Sequence, residues 1–157
     1  MNEPLPIAVL ISGGGTTLQN LIDRIGDGSL PARIVLVISS KPDAGGNRRA
    51  LDAGLPLEVI SRKSFLGVEA FSDRIFDAIR RSGAELVCLG GFLQLLKIPP
   101  DFRRKVVNIH PSLLPAFGGK GMYGHHVHEA VLKSGVEESG CTVHYVDDEY
   151  DHGEIIL

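Results

Sequence analysis

Short apolar runs alternate along this chain with segments of helical periodicity, and this alternation constrains the fold more than any other feature. Residues 6–12, 32–39 and 85–89 are rich in branched aliphatic side chains. Such nearly continuous apolar runs are typical of strands buried on both faces. Residues 68–81 instead carry apolar side chains at four-residue steps, as on one face of a helix. A β-α-β-α order of this kind predicts an α/β fold with an open, mostly parallel sheet and helices on both faces.

The rest of the chain extends the same pattern without an internal repeat or a linker, so we expect one domain over residues 1–157. The fold class is a Rossmann-like sheet. The further strands are expected at residues 57–61, 106–110, 141–146 and 153–157, and the further helices at residues 46–53 and 125–134.

Composition excludes several partners. The 16 Lys and Arg residues against 19 Asp and Glu residues give a net charge of −3 and a pI near 6.0, so there is no basic field for nucleic acid or an anionic membrane. No apolar run approaches the ~18 residues of a membrane span. Cys88 and Cys141, both expected in core or strand, lie far apart and form no Cys-x-x-Cys pair. Two unpaired cysteines favour a reducing, cytoplasmic location.

A glycine-rich turn, residues 13–17 (Gly-Gly-Gly-Thr-Thr), follows the first strand and precedes a helical pattern. Free N–H groups at a helix N-terminus attract anions, and Thr16 or Thr17 is expected to cap this helix. Leu18 stands where a dinucleotide fingerprint has its third glycine, and the Gly-Lys-Ser/Thr of a P-loop is absent. The turn therefore predicts a binding site for a phosphate on a small molecule. The alternative is that its glycines only allow the helix and the strand to pack closely.

The strand at residues 106–110 ends in two polar side chains at alternate positions, Asn108 and His110, before Pro111 stops it. Alternate residues of a strand share a face, so an amide N–H donor lies beside an imidazole that can exchange a proton near neutral pH. This pair suits acyl transfer, which needs a donor for an oxyanion and an acid for the leaving nitrogen. A structural Asn and His at a strand end remain the alternative.

Residues 108–115, Asn-Ile-His-Pro-Ser-Leu-Leu-Pro, resemble the active-site signature of the formyltransferases that use 10-formyltetrahydrofolate. The whole chain is most similar to those members that formylate the amine of glycinamide ribonucleotide in purine (IMP) synthesis. The resemblance implies 10-formyltetrahydrofolate as co-substrate and a catalytic trio of Asn108, His110 and Asp151. A carboxylate close to an imidazole favours its protonated form, and Asp151 is the candidate for that role.

The resemblance also assigns binding residues. Gly15, Thr16 and Thr17 match the loop that holds the ribonucleotide phosphate, with Thr17 in place of the usual Asn. Thr142 and His144 match a supporting pair. The folate-binding residues that it implies are Leu93, Gln94, Leu95, Leu96, Asn108, Asp147, Asp148, Glu149 and Tyr150.

Other functions stay open at this point. All six histidines lie between residues 110 and 152, but His125 and His128 do not form the His-x-x-x-His of zinc enzymes, so no metal is expected. A formyltetrahydrofolate deformylase shares the trio and is the main rival. A methionyl-tRNA formyltransferase fits less well, because it adds an RNA-binding domain. A non-catalytic phosphate- or folate-binding homologue is the remaining alternative.

The resembled family continues past residue 157 with another strand and a long C-terminal helix. We therefore expect either that these residues are a portion of a longer chain or that the protein self-associates as a homodimer.

Overall fold

A computed structural model describes residues 3–157 and has a six-stranded sheet with the strand order β3-β2-β1-β4-β5-β6. The strands are β1 Leu5–Ile11, β2 Ala32–Ser39, β3 Leu57–Val59, β4 Leu86–Leu89, β5 Val106–His110 and β6 Thr142–Tyr145. All neighbouring strands are parallel except β5 and β6, which are antiparallel. The predicted α/β class with a mostly parallel sheet is confirmed.

The helices are α1 Thr16–Gly26, α2 Gly45–Asp52, α3 Val68–Ser82 and α4 His125–Ser134. Two apolar clusters show how they cover the sheet. Ala8 and Leu10 of β1 join the cluster that holds the apolar stripe of α3, and Val9 points into the cluster that holds residues of α1 and α2. Because alternate residues of β1 face opposite clusters, both faces of the sheet are buried, as the apolar runs predict.

The order of the strands positions the site. β2 and β3 lie on one side of β1, and β4, β5 and β6 lie on the other. The direction in which successive strands are added therefore reverses at β1. Ligands of open α/β sheets bind at such a switch point, outside the carboxyl ends of the strands. These ends are tied together here: Ser12 N–H donates to the Gly91 carbonyl at 3.2 Å, and the Ser12 and Ser40 hydroxyls lie 2.6 Å apart.

Several expected boundaries were wrong. Gly15, not Thr16 or Thr17, is the N-cap of α1, because its left-handed conformation (φ 73°) turns the chain directly into the helix. Cys141 is exposed and precedes β6. Residues 153–157, expected as a strand, do pair with β6: Ile155 forms a bridge with His144, the Tyr145 N–H donates to the Glu154 carbonyl at 2.9 Å, and the Ile156 N–H donates to the Val143 carbonyl at 2.8 Å.

No helix within residues 3–157 combines the length and the apolar character that crossing a membrane requires.

Candidate active site

His110, the last residue of β5, is buried against the acidic turn that follows β6. Its Nδ1 lies 3.3 Å from Oδ1 of Asp151, and only 3% of the His110 side chain is exposed. The other carboxylate oxygen of Asp151 accepts a hydrogen bond from the Gly119 N–H at 3.0 Å. Asp151 itself has a positive φ of 52°, which lets the turn aim its carboxylate at the strand end. Two loops distant in sequence therefore meet at one imidazole.

The second nitrogen of His110 is also held. Nε2–H donates to the Phe117 carbonyl at 2.8 Å, since a carbonyl can only accept. Nδ1 then faces the Asp151 carboxylate, so protonation at Nδ1 gives an imidazolium with a hydrogen-bond acceptor on each side. This arrangement suits a group that must hold a proton and then release it.

Asp151 is kept ionised by its neighbours. Burial alone would raise the pKa of the Asp151 carboxyl, but the interaction with His144, the Gly119 N–H and the charge of His110 outweigh burial and lower it. A carboxylate that stays charged near neutral pH can orient the His110 ring through its contact with Nδ1.

Asn108 pairs across the sheet with His144 of β6. His144 Nδ1–H donates to the Tyr145 carbonyl at 2.9 Å, so the neutral ring has its lone pair on Nε2. That lone pair accepts a hydrogen bond from Nδ2 of Asn108 at 3.2 Å. The contact fixes which end of the amide carries the N–H groups, and one N–H of Asn108 remains for a ligand.

His144 also interacts electrostatically with Asp151, whose Oδ1 lies 3.8 Å from the His144 Nε2. Burial alone would lower the pKa of His144, but the Asp151 carboxylate and the Tyr145 carbonyl outweigh burial and raise it. Protonated His144 would direct Nε2–H at Asp151 and lose its acceptor for Asn108. The orientation of Asn108 is therefore linked to the protonation of His144.

Thr142 supports the segment that leaves β5. Its hydroxyl donates to the Ser112 carbonyl at 2.7 Å and accepts from the Leu114 N–H at 3.0 Å. Ser112 in turn donates to the Ala116 carbonyl at 2.8 Å. These bonds hold the loop whose Phe117 carbonyl contacts His110, so Thr142 and His144 each contact the elements that carry the expected trio.

A narrow cavity of about 50 Å³ opens beside this cluster. Most of the expected folate-binding residues line it: Gln94, Leu95, Leu96, Asn108, Asp147, Glu149 and Tyr150. Leu93 and Asp148 do not, because the Leu93 N–H is bonded to the Ser12 hydroxyl and the Asp148 carboxylate accepts from the Ile98 N–H. The lining also includes Leu89, Phe92, His144, Val146 and Asp151. Leu89 and Val146 were missed, since apolar residues in a strand pattern are read as core.

A larger hollow of about 420 Å³ lies on the other side of the acidic turn, next to Arg104 and His152. Neither Asn108 nor His110 nor Asp151 lines it. We therefore assign the chemistry to the smaller cavity, which Asn108 and Asp151 line and beside which His110 contacts Asp151.

The glycine turn lies at the end of β1, on the same edge of the sheet. The Gly13 carbonyl accepts from the Gly46 N–H at 2.9 Å, and the Gly15 carbonyl accepts from the Gln19 N–H at 2.9 Å. No acceptor among residues 3–157 pairs with the N–H groups of residues 14–17. The carbonyls of Gly13 and Gly15 are hydrogen-bonded within the protein, whereas the N–H groups of residues 14–17 are available to a ligand. The turn therefore has the polarity of an anion site.

Two loop contacts with the trio, from Phe117 and Gly119, were not expected from the sequence. A Cβ on Gly118 would lie 2.6 Å from a Leu114 methyl and 3.3 Å from the Asp151 Cβ. The glycine cluster at residues 118–124 was the available signal, because glycines often permit such close approach.

The part of the chain that the structure describes contains no cluster of potential metal ligands. No group of three or more His, Cys, Asp or Glu side chains within residues 3–157 is placed to hold a metal ion. His125 and His128 are exposed on α4, and His126 packs edge-on against Tyr123.

Comparisons with known proteins identify relatives of this chain. Phosphoribosylglycinamide formyltransferase, chloroplastic, from Arabidopsis thaliana is 40% identical over 153 residues, which cover 96% of this chain and 52% of that protein. The phosphoribosylglycinamide formyltransferase of Haemophilus influenzae is 42% identical over 153 residues, with 96% and 70% covered. The chain thus spans about half the length of the Arabidopsis relative.

The crystal structure of glycinamide ribonucleotide transformylase 1 from Symbiobacterium toebii superposes with a TM-score of 0.91 at 38% identity, covering all of this chain and 73% of that one. The family model described as formyl transferase matches residues 5–157. The resemblance of residues 108–115 is confirmed by these matches, and the chain belongs to the formyl transferase family.

Proposed function

We propose that this protein transfers the formyl group of 10-formyltetrahydrofolate to the amine of glycinamide ribonucleotide, a step of purine synthesis. The convergence of Asn108, His110 and Asp151 beside one cavity is the observation that carries the proposal. The names of the relatives from Arabidopsis thaliana and Haemophilus influenzae support the choice of acceptor. Each of the three side chains has a role that this reaction requires.

Asn108 is the donor for the developing oxyanion. The ribonucleotide amine attacks the formyl carbon, and the carbonyl oxygen gains negative charge in a tetrahedral intermediate. The N–H of Asn108 that His144 leaves free can donate to that oxygen. A single oxyanion donor of this kind is worth about 10²–10³ in rate.

His110 is the general acid. As the intermediate collapses, the bond between the formyl carbon and the folate nitrogen breaks, and that nitrogen needs a proton. The imidazolium supplies it when its Nε2–H leaves the Phe117 carbonyl, while the attacking amine loses a proton to solvent or to the neutral ring. Asp151, whose Oδ1 lies 3.3 Å from Nδ1, orients the ring before the transfer.

The two binding sites that we propose are the cavity and the glycine turn, which lie at the same edge of the sheet. The apolar lining from Leu89, Phe92, Leu96 and Val146 suits the flat ring of a folate, and Asp147 and Glu149 offer carboxylates to its amino groups. The N–H groups of residues 14–17 suit the phosphate of the ribonucleotide.

A turnover assay tests the proposal. Consumption of 10-formyltetrahydrofolate is measured with and without glycinamide ribonucleotide, and we expect it to require the ribonucleotide. Consumption without the ribonucleotide would instead identify a deformylase, which can use the same trio with water as acceptor. No consumption under either condition, with folate still bound, would identify a non-catalytic homologue. Turnover in the presence of a chelator checks that no metal is involved.

The proposal includes a cytoplasmic location. Cys88 and Cys141 are both free thiols, and free thiols suit a reducing compartment. Burial raises the pKa of the Cys88 thiol to about 11, so this thiol stays protonated and unreactive. Fractionation of cells that express the tagged protein tests the location.

A further inference from the structure

Arg49, a residue of α2, contacts the glycine turn from outside. Its Nε donates to the Gly14 carbonyl at 2.8 Å, and its Nη1 donates to the Gln19 side-chain oxygen at 3.3 Å. Gln19 is fixed in turn, because its Nε2 donates to Asp23 at 2.9 Å. The guanidinium is therefore held beside the turn by two acceptors from different parts of the β1–α1 unit.

This contact completes a pattern along the turn. The carbonyls of Gly13 and Gly15 accept from the Gly46 and Gln19 N–H groups, and Arg49 takes the one carbonyl between them. All three carbonyls of residues 13–15 are thereby occupied by donors. A free carbonyl in this turn would repel a phosphate oxygen. Because Arg49 binds the Gly14 carbonyl, only N–H donors of the turn remain available to an anion.

The charge of Arg49 is also uncompensated. Both of its acceptors are neutral amide oxygens, and no carboxylate within residues 3–157 lies within 4.0 Å of its guanidinium nitrogens. Its Cδ would lie 3.4 Å from a Cβ on Gly15, which places the side chain against the centre of the turn. A half-buried cation without a counter-ion favours an anion nearby.

We propose that Arg49 is a positioning residue for the phosphate of the substrate. It holds the Gly14 carbonyl away from the phosphate and adds positive charge beside the N–H groups of residues 14–17. This inference rests on the proposed function in one respect, that the glycine turn receives the phosphate of the ribonucleotide.

The neighbouring Arg48 is a matched control. It lies on the same helix, is 80% exposed and pairs with Asp52 at 2.8 Å, away from the turn. Changing Arg48 alters the net charge of the protein by the same amount without touching the glycine turn. The comparison of Arg48 and Arg49 therefore separates a local effect from a general electrostatic one.

Binding of inorganic phosphate, followed through the amide resonances of residues 14–17, tests the inference without turnover. In the unmodified protein we expect these resonances to shift on titration. Arg49→Met should weaken phosphate binding by about 10- to 100-fold, the range for losing a charged hydrogen-bonding partner. Arg48→Met should change it by less than about twofold. Arg49→Lys keeps the charge but cannot hold both acceptors as the planar guanidinium does, so its affinity should fall between the two.

Kinetics with the ribonucleotide supply a second readout. Arg49→Met should raise KM for glycinamide ribonucleotide by about the same factor and change kcat by less than about threefold, because the phosphate lies away from the reacting carbon. A melting curve for each variant shows whether it is folded, and Arg49→Lys gives the answer if Arg49→Met is not.

The outcomes separate this inference from the proposed function. Equal phosphate affinity in the unmodified protein and Arg49→Met, whatever the melting temperatures, overturns the role of Arg49 and leaves formyl transfer standing. Amides of residues 14–17 that do not respond to phosphate overturn the inference together with the phosphate role of the turn. Arg49-dependent phosphate binding in a protein without formyl transfer supports the inference and refutes the proposed function.

Discussion

The glycine turn at residues 13–17 and the cluster around His110 lie at the same edge of the sheet, yet they are built in opposite ways. The turn uses backbone groups of one continuous segment at the end of β1. The cluster uses side chains from β5, from β6 and from the turn that carries Asp151. A site made of backbone depends on the path of the chain, whereas a site made of side chains depends on which residues are present.

This difference extends to charge. Backbone N–H groups do not titrate, so the polarity of the glycine turn is constant over the physiological pH range. The cluster contains Asp151, with a lowered pKa, and His144, with a raised pKa, so its protonation changes with pH. Substitutions should therefore affect the two regions through different measurable quantities.

The largest expected effect is that of His110→Ala. Removal of the proposed general acid should lower kcat by about 10²–10⁴-fold and change KM for the ribonucleotide little, because the proposed phosphate contacts lie in the other region. Steady-state kinetics and a melting curve check this. The matched control is His128→Ala, since His128 is exposed on α4. Near-normal turnover of folded His110→Ala protein would remove His110 from the mechanism.

The next largest effect is expected for Asn108→Ala. Loss of the oxyanion donor should lower kcat by about 10²–10³-fold. The exposed Asn20 of α1 provides the control, because Asn20→Ala removes the same amide away from both regions. If Asn108→Ala and Asn20→Ala have equal kcat values, Asn108 is structural and its bond to His144 serves only to pair β5 with β6.

The contrast between a site built from backbone and a site built from side chains also explains which contacts could be predicted from the sequence. The glycine turn is continuous in sequence, so its place between a strand and a helix could be predicted directly. Its contacts with Gly46 and Arg49 could not, since they depend on how α2 packs against α1. Asn108 and His110 followed from the two-residue period of a strand.

Side chains that arrive from distant segments were harder to predict. Asp151 was assigned only through the family resemblance, and Phe117 and Gly119 were not found, although they contact His110 and Asp151. Nearly every residue type has the same backbone N–H and carbonyl groups, so a backbone contact cannot be predicted from residue identity. The folate-binding residues were predicted as continuous runs, and only some of them, such as Leu96, line the cavity, so their role stays a prediction.

A smaller effect, on binding rather than on rate, is expected for Gly15→Ala. The added Cβ would lie 2.7 Å from the Gly46 Cα, and Gly15 has a φ of 73°. Backbone must move, which we expect to cost about 1–3 kcal/mol of stability and to raise KM for the ribonucleotide about tenfold. Thermal melts and kinetics check both values. Gly14→Ala is the control for stability, since nothing lies within 4 Å of its added Cβ. Equal melting temperatures for the two variants would contradict this account of the turn.

The smallest expected effect is a pH dependence of stability that comes from the cluster and not from the glycine turn. The folded-state pKa of His144 is raised above 6.5, so its protonation stabilises the fold fully below pH 6.5, and this contribution is lost as the pH rises through the raised value. The pKa of Asp151 is lowered below 3.8, so its contribution is present above pH 3.8 and is lost as the pH falls through the lowered value.

Both groups are charged in the folded protein between these limits, and the attraction between them is strongest there. Asp151→Asn, which removes the charge facing both His144 and His110, should therefore destabilise the protein most between about pH 4.5 and 6.5 and less near pH 9. Denaturant unfolding across this range measures the difference. Asp147→Asn is the control: it removes a carboxylate from an exposed pair with His152, although Asp147 also acts weakly on His144, and the expected change is smaller. A cost of Asp151→Asn that does not vary with pH would mean that Asp151 stabilises the fold through its bond to the Gly119 N–H and not through charge.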